Sequence, residues 1–275
     1  MDQSLYPIIE AGPKNGKVKQ VLSLLNNAKP NPNQLMVLEG IWAIEKAIQK
    51  AAQLDSFFFC PELATSLEAQ TLIRLLQQRV PSFRVSQKTF LSMTDRGKPD
   101  GMLVIVRWRH STFEHLVPSS ESQLIVLDGV EIPGNIGTIV RTADGCSALG
   151  VLISNRRARI THPKMVKGSQ GSLFSVPIIE SDVRSIYTWC KTQGFQLLLT
   201  DSRSSNAFDH FPYESKVAVI FGSERYGISK EWYDCVSQSI SIPMKGMCDS
   251  LNVAVASGIV MYHISRYHET NRSKP

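Results

Sequence analysis

The chain has 275 residues, 43% hydrophobic and 20% charged, with a formal net charge of +6, an ordinary composition for a globular protein. Its length predicts two domains, and with no run near the ~20 apolar residues of a membrane span and no apolar signal core at the start, a membrane or exported protein is not expected. The five cysteines (Cys60, Cys146, Cys190, Cys235, Cys248) are odd in number and widely spaced with no CxxC pair, which argues against a disulfide framework or a zinc site and predicts a reducing, cytoplasmic setting.

The basic excess is modest and leans N-terminal: 14 Lys/Arg face 10 Asp/Glu up to residue 115, against 16 and 14 beyond it. Such a balance permits a nucleic-acid partner without demanding one. Residues 1–34 are polar and turn-rich, with Lys14, Lys17 and Lys19 around an amphipathic run (Val18, Val21, Leu22, Leu25) that Lys29-Pro30-Asn31-Pro32-Asn33 breaks. This predicts a helical arm ending in a loop.

From Leu35 the pattern becomes α/β. Leu35–Leu38 reads as a strand, Ile41 to Ala51 as a helix, Phe57–Cys60 as a strand and Leu72 to Leu76 as a helix, with further strands at Phe83–Val85 and Leu103–Val106. Strands alternating with helices predict a small, mostly parallel sheet covered on both faces. Trp42 and Trp108 are expected as packing residues. The arm and this first domain take residues 1–110, and the polar segment 111–123, with Pro118 and two serines, is expected to be a linker.

Residues 124–275 repeat the rhythm more strongly. Strands are expected at Leu124–Leu127, Val151–Ile153, Val176–Ile178, Gln196–Thr200 and Val217–Phe221, and helices at Ile136–Ala148 and Val183–Lys191. A last strand closes at Ile240-Ser241-Ile242-Pro243. Asp249-Ser250-Leu251-Asn252 then offers capping side chains to a helix that opens with small residues (Ala254, Ala256, Ser257, Gly258). That stretch reads as an N-capped core helix or as a ligand site at a helix start.

Open parallel sheets bind ligands at the carboxyl ends of their strands, and three polar constellations fall there. The first is Asp128-Gly129-Val130-Glu131-Ile132-Pro133-Gly134-Asn135-Ile136-Gly137-Thr138-Ile139-Val140-Arg141, a strand, a glycine-containing loop and a helix start that Asn135 and Arg141 are expected to flank. It is neither a Walker loop nor a GxGxxG fingerprint. The second is Phe221-Gly222-Ser223-Glu224-Arg225-Tyr226-Gly227-Ile228-Ser229, with Ser229 as an N-cap candidate. The third is Ile242-Pro243-Met244 together with Ser250-Leu251-Asn252-Val253-Ala254.

Taken in order, these three resemble the signature motifs of the SpoU (TrmH-like) RNA 2′-O-ribose methyltransferases of the SPOUT superfamily. Lys164-x-x-Lys167-Gly168-Ser169-x-Gly171-Ser172-Leu173-Phe174 resembles the family's segment between its first two motifs, and residues 12–108 resemble the small ribosomal-protein-like substrate domain of its rRNA-modifying members. The resemblance implies an α/β methyltransferase domain whose C-terminal segment is threaded as a trefoil knot, working as a homodimer without metal. It implies S-adenosylmethionine bound by Thr200, Gly222, Ile242, Met244, Ser250 and Leu251. It implies a polar site of Asn135, Arg141, Glu224, Ser250 and Asn252, with Glu224 holding Arg141 or Asn135.

By the same resemblance Arg141 binds the target phosphate. A guanidinium hardly releases a proton, so its expected work is to orient that phosphate and stabilise developing alkoxide charge. RNA contacts are expected from Arg141, from Arg156, Arg157 and Arg159 in a dense basic loop, and from Lys164 and Lys167. His162 is expected at the surface. The N-terminal domain and the lack of a long basic C-terminal tail favour rRNA over tRNA as the target. The competing readings are a tRNA 2′-O-methyltransferase and a non-catalytic RNA-binding protein on the same scaffold. A dinucleotide oxidoreductase lacks its glycine fingerprint.

Overall fold

The structure is a computed structural model and describes residues 6–27 and 29–272. It divides into two compact units, residues 1–109 with 160–174, and residues 110–159 with 175–275.

In the first unit the chain runs β1 (Ile8–Glu10), α1 (Gly16–Asn26), β2 (Leu35–Glu39), α2 (Ile41–Gln49), β3 (Gln53–Phe59), α3 (Leu67–Gln77), β4 (Ser82–Arg84), α4 (Gln87–Leu91) and β5 (Met102–Arg107). The sheet order is β1-β4-β3-β5-β2. The β1–β4 and β4–β3 pairings are parallel, but β5 runs antiparallel to both β3 and β2, so the sheet is mixed and not mostly parallel as its alternating pattern suggested. The amphipathic run forms α1 as expected, and its Val18 and Val21 are fully buried in one core with Phe58, Phe90, Leu103 and Ile105. Trp108 is buried as expected, whereas Trp42 is 59% exposed, its indole NH donating to Gln170 O at 2.9 Å and the Lys46 ammonium lying 5.2 Å from the ring centroid.

The second unit holds β6 (Ser122–Asp128), α5 (Pro133–Gly145) and β7 (Gly150–Ser154). The next helix, α6 (Pro163–Ser169), packs with the first unit, where partly exposed His162 accepts the Lys164 amide at 3.1 Å as its N-cap. The second unit continues with β8 (Ile178–Glu180), α7 (Val183–Thr192), β9 (Gln196–Thr200), β10 (Lys216–Gly222), α8 (Lys230–Cys235), β11 (Ser239–Ile240) and α9 (Val253–Arg272). Its strands lie in the order β11-β9-β10-β6-β7-β8, all pairings parallel. Every residue of β6 and β7 is buried, as strands covered on both faces require, and Trp232, Ile220 and Leu152 share the core on one side.

Candidate functional site

The carboxyl ends of β9, β10 and β11 open onto a cavity of about 610 Å³ within the second unit. Thr200, Gly222, Ile242, Met244, Ser250 and Leu251 all line it, together with Glu224 and Asn252. Apolar wall comes from Phe221, Ile240, Val253 and Val260, so the cavity pairs an apolar slot with a polar rim.

Its shape depends on the turn after β10. Ser223 and Gly227 exchange both backbone hydrogen bonds, at 3.0 and 2.9 Å, and Ser223 Oγ accepts the Tyr226 amide at 2.9 Å. Gly227 sits at φ +68°, and the folded-back chain lies so close to Gly222 that a Cβ there would be 2.2 Å from the Gly227 carbonyl carbon. Thr200 fixes the neighbouring strand end by donating its hydroxyl to Ile220 O at 2.8 Å.

Asn252 caps α9 through its side-chain oxygen, which accepts the Ala254 amide at 2.9 Å, so its amide nitrogen is what remains for a ligand. Ser250 does not cap the helix; its hydroxyl meets Asp249 Oδ1 at 3.2 Å. The small residues of α9 are not all needed for close packing, since a Cβ on Gly258 would meet only Thr142 Cγ2, at an ordinary 3.8 Å.

The first motif is arranged differently from expectation. α5 begins at Pro133, so Asn135 lies in its first turn and Arg141 further along, about 9 Å up the axis and about a third of a turn around it. They do not flank the helix start together. Asn135 donates its amide to the Glu224 carboxylate, joining the first and second motifs, while exposed Arg141 has no polar partner among the described residues.

Two groups here were given no role by the sequence. Asp201, next to Thr200, accepts the Arg203 amide, its Nε and its terminal nitrogen at 2.9–3.1 Å, and the Tyr233 hydroxyl at 2.7 Å. Asp201, Arg203 and Tyr233 all line the cavity, and the only signal was a carboxylate following a strand end in a serine-rich loop. The Arg203 guanidinium above all, with help from Tyr233 and against partial burial, holds the Asp201 carboxyl far below its ordinary range. Because the folded value lies below the unfolded one, the stabilisation is present above about pH 4 and is lost as the pH falls further. Asp201→Asn should therefore melt below the wild type at pH 7, with the gap narrowing by pH 3; parallel melting curves at both pH values would contradict this.

The second is Asp128, only 2% exposed, whose carboxylate gathers Ser154 Oγ at 2.8 Å, Asn155 Nδ2 at 2.8 Å and the Ser229 amide at 2.6 Å. Ser154 in turn accepts the Trp232 indole NH at 3.1 Å. Ser229 starts α8, but its hydroxyl accepts Asn155 at 3.3 Å instead of capping the helix. Asp128 thus ties the end of β7 to the start of α8 beside the second motif. Asp128→Asn turns one acceptor into a donor facing donors, and should cost about 1–3 kcal/mol and lower the Tm by roughly 3–8 °C; an unchanged melting curve would refute the tie.

A sequence model of the SpoU rRNA Methylase family matches residues 122–262, just over half of the chain. The chain belongs to the SpoU rRNA methylase family. An MRM3-like substrate binding domain model matches residues 15–104. Over 251 residues the chain is 24% identical to the 23S rRNA (guanosine(2553)-2'-O)-methyltransferase RlmP of Bacillus subtilis, spanning 91% of this chain and 96% of the relative. It is 23% identical over 269 residues to the 23S rRNA (uridine(2479)-2'-O)-methyltransferase of Streptomyces viridochromogenes, spanning 94% and 93%. The crystal structure of the SpoU methyltransferase AviRb from the same organism, in complex with AdoMet, matches with a TM-score of 0.83 at 23% identity over 94% of this chain and 99% of that one. An AdoMet-bound rRNA methyltransferase from Sinorhizobium meliloti matches with 0.83 at 24% identity over 94% and 98%. At these identities the structural matches establish the fold.

The basic residues of this SpoU chain fall into both units. Arg156, Arg157 and Arg159 follow β7 in the second unit, with Arg156 paired to Glu180 at 3.3 Å. Lys164 and Lys167 sit on α6 in the first, with Lys167 held at 2.9 Å by Asp95 and Lys164 exposed. Among the described residues no group of three or more His, Cys, Asp or Glu is placed to hold a metal ion, and no helix is long and apolar enough to cross a membrane.

Proposed function

We propose that this protein is an S-adenosylmethionine-dependent methyltransferase acting on a ribose 2′-hydroxyl of ribosomal RNA, in the 23S molecule. The observation that carries the reading is the cavity at the carboxyl ends of β9, β10 and β11, lined by the second and third SpoU motifs and tied to the first through Asn135 and Glu224. The names of the relatives from Bacillus subtilis and Streptomyces viridochromogenes support 23S rRNA as the target.

The cavity fits the cofactor: Ile242 and Leu251 give an adenine apolar walls, side-chain-free Gly222 leaves backbone exposed, and Thr200, Met244 and Ser250 complete the lining. When bound, the cofactor supplies an electrophilic methyl group. The chain's own residues hold the ribose in line, which is worth ~7–11 kcal/mol in the best-oriented reactions, and stabilise the 2′-oxygen as its proton leaves. Arg141, exposed and without a polar partner among the described residues, orients the target phosphate and offsets the developing charge. Asn135, held by Glu224, and the free amide of Asn252 take the sugar, with Ser250 beside them. Arg156, Arg157, Arg159, Lys164 and Lys167 contact RNA phosphates.

The chain after β10 is threaded as a trefoil knot, the arrangement of the family it belongs to. The protein is a homodimer, supported by an exposed stripe on α9 made of Val255, Ile259 and Tyr262, which are 52%, 38% and 51% exposed. It resides in the cytoplasm, supported by its five free cysteines. Calorimetry should find binding of S-adenosylhomocysteine and none of NAD. Mapping 2′-O-methyl groups in rRNA and tRNA from cells with and without the gene should reveal one missing rRNA mark; loss of a tRNA mark alone, or of none, would overturn the reading.

A further inference from the structure

We infer that Tyr226, backed by Arg225, is a stacking platform for a base of the substrate RNA within one nucleotide of the ribose that is methylated; this rests on the reading above.

Tyr226 is 66% exposed although it lines the cavity, so its ring presents an apolar face to solvent at the mouth of the site. The Arg225 guanidinium lies 5.1 Å from the ring centroid, covering the ring with a planar cation. The two residues occupy the tip of the turn that the Ser223–Gly227 backbone pair closes, and the Tyr226 amide is fixed to Ser223 Oγ at 2.9 Å. A large ring held out on an anchored turn, with one neighbour a cation and the other Glu224 bound to Asn135, is arranged to be covered by something flat and anionic. Bringing a single 2′-hydroxyl to the cavity requires the nucleotide to leave its stack, and proteins that receive unstacked RNA bases replace the lost contact with aromatic rings and arginine planes. An RNA base carries its phosphate along with it, which suits the Arg225 cation beside the ring.

The test uses the full chain and total rRNA from cells lacking the gene as methyl acceptor, with radiolabelled S-adenosylmethionine. Base–aromatic stacking is worth about 1–3 kcal/mol, so Tyr226→Leu should raise the KM for RNA roughly 5- to 150-fold. Tyr226→Phe should stay within about twofold of the wild type, because the ring is retained. The Kd for S-adenosylhomocysteine, measured by calorimetry on the same preparations, should be the same in all three proteins, which also certifies that the variants fold. An unchanged KM in Tyr226→Leu overturns the inference alone. An equal rise in the S-adenosylhomocysteine Kd also overturns it, assigning Tyr226 to the cofactor. Absence of methyl transfer by the wild type overturns the proposed function and the inference together.

Discussion

Arg141→Ala should lower methyl transfer to rRNA by roughly 10²–10³-fold or more while leaving S-adenosylhomocysteine binding within about twofold of the wild type. The separation follows from placement. Arg141 is outside the lining of the cavity, is exposed, and spends its guanidinium on no other polar group among the described residues. Its loss therefore leaves no orphaned carboxylate and no cavity, and the protein should melt as the wild type does. What disappears is the charge and the planar fork, and with them the grip on a phosphate and the stabilisation of the oxygen that loses its proton. Arg141→Lys keeps the charge without the fork and should recover only part of the rate. Turnover by Arg141→Ala within tenfold of the wild type in a radiolabelled-methyl assay would remove Arg141 from the mechanism.

Gly222→Ala should do the opposite, weakening cofactor binding through shape. Gly222 is the last residue of β10, paired in register with Asp128, and the chain returns over it after the Ser223–Gly227 turn. A Cβ would lie 2.2 Å from Gly227 C, 2.4 Å from Ile228 N and 2.5 Å from Gly227 O. All three are backbone atoms, which cannot swing aside as a side-chain tip can. Either the turn opens, moving Glu224 and Tyr226, or β10 shifts against β6; both deform the cavity wall. Overpacking of this kind costs about 1–3 kcal/mol, and with that cost falling on the cavity wall the Kd for S-adenosylhomocysteine should rise roughly 5- to 150-fold. Calorimetry showing an unaltered Kd would mean that the turn is softer than its hydrogen bonds imply.

Much of this was legible in the residues. β6, β7, β9 and β10 are short apolar runs bounded by polar loops, and their length and bounds read as buried strands. The first unit was harder. Met102–Val106 is buried throughout, and a continuous apolar run looks the same whether its neighbours run with it or against it, so the antiparallel half of that sheet left no trace. β1 has three residues, all exposed, and offered no periodicity. α6 was hidden by its basic residues and by His162, which reads as a loop residue until its ring is seen accepting the Lys164 amide.

In the site, the cavity-lining residues Thr200, Gly222, Ile242, Met244, Ser250 and Leu251 came from motif resemblance, and spacing alone would not have gathered them. The partner of Glu224 was left open between Arg141 and Asn135, and only three-dimensional placement assigns it to Asn135. Asp128 and Asp201 stood in plain view at strand ends. A lone carboxylate there reads as a turn residue, because its donors lie on segments far away in the chain.

The strand order of the second unit governs when the protein becomes useful. β6 has β10 as a neighbour, with Leu124 opposite Ala218, and β9 and β11 complete that side. Loop closure over such separations must be met before pairing rewards it, so this half of the sheet is slow to form. During synthesis β6 and β7 emerge first and wait with one buried-type edge uncovered, a template for wrong pairing. The walls of the cavity, from Thr200 to Val260, arrive last. The cavity is therefore incomplete in a growing chain until Val260 has been made.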